Sequence, residues 1–74
     1  MIIDKTYEKQ SAVIRFQDGY TYITKKHYPF DLRSIIKDII LSEEIMGNAL
    51  LKVELYLWNN DELVLETDAT ENFI

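Results

Sequence analysis

Residues 11–28, SAVIRFQDGYTYITKKHY, decide how this chain is read. Two runs rich in β-branched and aromatic residues, Ser11–Gln17 and Tyr20–Tyr28, flank Asp18-Gly19. A glycine preceded by aspartate takes the positive φ angles that a tight hairpin demands, so the pair marks a turn between two antiparallel strands. A two-residue loop pairs Gln17 with Tyr20, Arg15 with Tyr22 and Ile14 with Ile23. Ala12, Ile14, Phe16, Thr21 and Ile23 then share one face. Val13, Arg15, Gln17, Tyr20 and Tyr22 share the other. A three-residue loop with a bulge instead sets both tyrosines beside Phe16. Upstream, Ile2-Ile3 is a candidate edge strand.

Downstream of the hairpin, Pro29 and Asp31 open a helix. Asp31 is the expected N-cap, and Phe30 is placed to staple onto Ile35. Leu32, Ile35, Ile36, Ile39 and Ile40 recur at helical spacing and form one apolar stripe. That period fails at Leu41 and Ile45, which predicts a helix ending near Leu41 and a new turn from Ser42 to Gly47-Asn48. The alternative is a continuous helix whose Leu41 and Ile45 pack on a partner.

Leu50–Trp58 then alternates: Leu51, Val53, Leu55 and Leu57 point one way, and Lys52, Glu54, Tyr56 and Trp58 the other. A three-residue turn, Asn59-Asn60-Asp61, leads into a fourth strand over Glu62–Thr67 and pairs Leu57 with Leu63 and Leu55 with Leu65. Acidic Thr67–Ile74 closes the chain, with Phe73-Ile74 either docking or fraying. The fold expected is one α+β domain over residues 1–74: a four-stranded antiparallel sheet (ββαββ) with a single helix on one face.

One helix covers one face of a sheet. The uncovered face is expected to gather Tyr20, Tyr22, Tyr56, Trp58, Val13 and Val64 among Glu54, Glu62, Glu66, Arg15 and Lys52. An aromatic patch of this kind on a small domain marks an interface, unless a long side chain or the tail folds across it.

The net charge of −5 is unevenly spread. Residues 1–40 hold seven Lys/Arg against five acids, whereas residues 41–74 hold Lys52 alone against eight acids. Such a field repels a nucleic-acid backbone and attracts a basic groove, besides solubilising the chain. With 74 residues and no cysteine, neither disulfides nor thiolate metal sites can reinforce the core, which leaves association as the remaining support. One histidine, His27, among Lys25 and Lys26 is the single base that Ser11, Ser34 or Ser42 could draw on, and two glycines cannot build a phosphate loop. An enzyme is therefore not expected, and no cofactor or metal. Met1–Lys9 is too charged for a signal peptide, and Ile39–Leu41 is the longest apolar run, so a soluble, cytoplasmic protein is expected.

The hairpin Phe16–Tyr22, the helix opening at Asp31 and the acid-bearing strand Leu50–Trp58 together resemble the small phage-encoded uracil-DNA glycosylase inhibitors. More broadly, the profile is similar to anti-CRISPR and other phage anti-defence proteins. The acidic hairpin at Asn59–Thr67 departs from the shortest members of the first group. The resemblance implies an inhibitor that mimics DNA inside a host cell, binding a nucleic-acid-processing enzyme and no nucleic acid itself. Strand alternation, not the resemblance, supplies the expected contact residues: Glu54, Glu62 and Glu66 as phosphate surrogates, with Tyr56 and Trp58 as anchors and Tyr20 and Tyr22 beside them. The competing expectation is a homodimeric structural or assembly protein that uses the open sheet, or Leu41 and Ile45, on itself.

Overall fold

The structure, a computed structural model, describes residues 9–59 and 62–74, with the side chains of Asn59, Leu65 and Glu66 left aside. The expected strand at Ile2-Ile3 lies outside the described residues. The elements run β1 (Gln10–Phe16), β2 (Thr21–Ile23), α1 (Pro29–Ile45), β3 (Leu50–Asn59) and β4 (Glu62–Asp68), followed by a 3₁₀ turn at Thr70–Asn72. The strands form one antiparallel sheet in the order β2-β1-β3-β4, with the two hairpins joined through β1 and β3. This is the α+β ββαββ arrangement that the strand and helix periods predict.

Period-2 alternation in β1 sends Ala12, Ile14 and Phe16 to the helix side, where they pack with Val53 of β3 and with Leu32, Ile36 and Ile40 of α1. Ile39, Leu50 and Leu55 pack around this cluster. The chain end completes it. Ala69 is buried, its N–H donates to the Val53 carbonyl at 2.9 Å, and Phe73 lies against the core. The tail therefore docks on the helix side rather than across the open sheet face, and Ile74 at its end projects into solvent.

The first hairpin takes the three-residue loop. Phe16 pairs with Tyr20, and the ladder continues through Ile14 with Tyr22 and Val13 with Ile23. Gly19 sits at φ 94°, its N–H donates to the Phe16 carbonyl at 3.1 Å, and the Asp18 carboxylate accepts the Tyr20 N–H at 2.8 Å. A turn followed by a left-handed glycine is the geometry a three-residue hairpin uses. The extra residue reverses the face assignment: Tyr20 and Tyr22 lie on the Phe16 side, and Thr21 and Ile23 on the open side.

The helix also departs from its amphipathic pattern. It runs unbroken to Ile45, because its end is set by Gly47 at φ 82° rather than by the apolar stripe. Gly47 N–H donates to the Glu44 carbonyl at 2.9 Å and Asn48 N–H to the Glu43 carbonyl at 2.9 Å. These two bonds form a Schellman cap. At the other end the N-cap is Tyr28, with Pro29 at the first turn; Asp31 lies inside that turn and caps nothing. Phe30 is 85% exposed and makes no staple.

The second hairpin closes one residue tighter than hydrophobic matching suggests. Asn59 pairs with Glu62, Trp58 with Leu63 and Leu57 with Val64. The ladder then slips: Tyr56 pairs with Leu65 and Leu55 with Thr67, making Glu66 the extra residue of a β-bulge. A one-residue shift flips every side chain, so Glu62 and Val64 fall on the helix side and Leu63 joins Trp58 on the open face.

Candidate interaction groove

The open face does not assemble as the sequence suggests. Of the seven expected contact residues, only Glu54, Tyr56 and Trp58 share it; Tyr20, Tyr22 and Glu62 are on the other side, and the Glu66 side chain lies outside the described residues. The three that remain are engaged within the chain. Glu54 is the hub: its side chain is only 13% exposed, with Arg15 Nε at 3.4 Å and Lys52 Nζ at 3.8 Å from its carboxylate oxygens. The Tyr56 hydroxyl donates to the same carboxylate at 3.3 Å. A carboxylate held between two cations presents no net negative charge to a basic surface. Trp58 is similarly committed. Its Nε1–H donates to the buried Ser11 hydroxyl at 2.8 Å, and Lys26 Nζ stands 3.9 Å from the ring centroid, a cation–π distance.

Aromatic and acidic groups do meet elsewhere. Tyr20, Tyr22, Asp38, Ile39, Ser42 and Glu43 line a groove of about 250 Å³ between the β2 hairpin and α1. Phe16 and Tyr20 stack with ring centroids 6.1 Å apart, and Tyr20 meets Tyr22 edge-on at 6.3 Å. The tyrosines are thus anchored at one end on the core yet remain partly exposed. Asn48 fixes the groove's acidic end. Its Nδ2 donates to Glu43 Oε1 at 2.9 Å, and its Oδ1 accepts the Asp18 N–H at 3.3 Å, tying the β-turn to the helix cap. Asp18, Asp38 and Glu43 therefore border the aromatic pair, and no lysine or arginine is among the described lining residues. Sequence reasoning missed this groove, although the three-residue loop that creates it follows from Gly19 as readily as the shorter one.

Farther along, Asp68 accepts both the N–H (3.0 Å) and the hydroxyl (2.5 Å) of Thr70. The Thr70 hydroxyl holds its carboxyl below the ordinary aspartate value; the Thr70 N–H, and Lys52 more weakly, act in the same direction against a small opposing effect of burial. Thr70 Oγ1 in turn accepts the Val53 N–H at 3.0 Å, which staples the tail to β3.

Among the described residues no group of three His, Asp or Glu could hold a metal ion, and no helix is long and apolar enough to cross a membrane. No protein-family model, curated protein or solved structure matches the chain. What fold and site define is a small α+β protein with a tyrosine-lined acidic cleft beside its helix.

Proposed function

We propose that this chain is a non-catalytic binding protein that inhibits a nucleic-acid-processing enzyme of its host by occupying that enzyme's basic groove. The expected setting is the host-cell cytoplasm, and the contact is with protein rather than nucleic acid. The reading is carried by one observation: Tyr20 and Tyr22 share a groove with Asp38 and Glu43, and no cation neutralises it among the described lining residues. Carboxylates attract a lysine- or arginine-lined surface and speed encounter with it, while part-buried tyrosines supply anchoring area at low entropic cost. Glu54, Tyr56 and Trp58, the members of the expected decoy set that share the open face, support the reading less well because their polar groups are satisfied internally.

The test is affinity capture from host lysate with the immobilised parent chain, followed by a nucleic-acid-binding assay on the captured protein. A Tyr22→Ser/Asp38→Lys variant with parental circular dichroism is expected to bind that protein at least about tenfold more weakly, equivalent to about 1.4 kcal/mol. A Glu54→Gln variant is expected to bind as the parent does. The reverse pattern would sink the groove and restore the open face.

A further inference from the structure

The outward side of α1 carries apolar residues that neither sheet nor tail covers. Phe30, Ser34, Lys37, Leu41 and Ile45 follow one another at spacings of three and four and so lie along one face. Leu41 is 57%, Ile45 79% and Ile74 91% exposed, beside the fully turned-out Phe30. A groove of about 310 Å³ runs along this face, between Leu41 and Glu44 of the helix and Phe73 and Ile74 of the tail. Arg33 and Glu44 lie on the flank nearest the tail, since each lines a groove that also involves Phe73.

We infer that this face binds a second copy of the chain, with the two helices antiparallel about a two-fold axis near Lys37 and Asp38. In that register Phe30 of one copy covers Ile45 of the other, Leu41 meets Ser34, and Arg33 reaches Glu44. Two-fold symmetry repeats each contact, so a single helix supplies both halves of every complementary pair. Charge selects this direction. A parallel pairing brings the acidic ends holding Glu43 and Glu44 together. The antiparallel one sets each acidic end beside the other helix's positive N-terminus. The inference is independent of the proposed inhibitory groove, which lies along the opposite flank of α1 at Asp38, Ile39 and Ser42. A contact centred on two single helices is small for a stable interface, so the dimer is expected to dissociate on dilution.

Sedimentation velocity over a range of chain concentrations tests it, beginning with the parent chain. Leu41→Lys, and the milder Ile45→Ser in the exposed last turn, are each expected to weaken dimerisation at least about tenfold. Arg33→Glu and Glu44→Arg are each expected to weaken it, and the double variant to return within about threefold of the parent. A parent that stays monomeric at millimolar concentration overturns the inference. So does a dimer indifferent to both apolar variants, because another surface would then hold it. Failure of the double charge reversal to restore affinity overturns the antiparallel register. None of these results bears on capture of a host enzyme.

Discussion

Glu54→Gln separates two accounts of the open face. If Glu54 is a phosphate surrogate, neutralising it weakens partner binding and leaves the fold alone. If it is the structural hub, the fold weakens and binding stays. The cost follows from its three contacts. Arg15 and Lys52 are half exposed, at 50% and 46% of their side chains, so each ion pair is worth about 0.2–1 kcal/mol after solvent screening. The Tyr56 hydroxyl bond is long at 3.3 Å and contributes no more than about 1 kcal/mol. Glutamine keeps the shape and one acceptor, so the expected loss is about 1 kcal/mol. For a domain of this size that lowers the melting temperature by about 4–8 °C. Thermal unfolding followed by circular dichroism in low and high salt measures it. The gap between parent and variant should shrink as salt rises, because the ionic part is screened. A variant as stable as the parent, or a gap indifferent to salt, refutes the hub. Unchanged stability together with lost partner binding would return Glu54 to the contact surface.

Other outcomes follow from the same structure. Phe16→Ala removes the largest fully buried side chain among the described residues and the ring that Tyr20 stacks on; about 3–5 kcal/mol is expected, close to unfolding for so small a core, read by chemical denaturation. Gly47→Ala meets no atom within 4 Å but must hold φ at 82°, so a loss of about 1 kcal/mol should come from backbone strain in the helix cap. Thr70→Val removes the donor that keeps the Asp68 carboxyl below its ordinary value of 3.8. A depressed carboxylate stabilises the fold fully above its unfolded value and loses that contribution as pH falls through the folded one. The stability gap between parent and Thr70→Val should therefore be widest near neutrality and narrow as pH drops below 3.8, while Thr70→Ser behaves as the parent. Denaturant titrations across that range give the comparison.

Much of this protein is legible in one dimension because its elements have clear periods. Ala12, Ile14 and Phe16 alternate into the core as their spacing requires, and Leu32, Ile36 and Ile40 bury the stripe that helical spacing draws. Asp18-Gly19 marks the turn, and strand count and helix count follow from these signals. The expected site was less legible, since it depended on registers that differ by a single residue. Gly19 is compatible with either loop length; the longer one comes with the stacking of Tyr20 on Phe16 and with the tie from Asp18 to Asn48 at the helix cap, a contact between residues far apart in the chain. The same holds at Glu62, where the tighter turn and the bulge at Glu66 undo the match of leucines across the second hairpin.

By itself, then, the sequence determined the α+β class, the order of elements, the core and the surplus of acid in the second half. Those properties are set locally, by side-chain period, turn residues and composition. Tertiary structure alone decided which aromatic groups meet which carboxylates. It neutralised Glu54 between Arg15 and Lys52, closed Trp58 under Lys26, and opened an acidic groove at Tyr20 and Tyr22. The physical reason is that a face is inherited from strand register, and register is fixed by contacts between residues far apart in the chain. It also carried α1 past its apolar stripe to the Gly47 cap, leaving Leu41 and Ile45 in solvent, where a second copy can reach them.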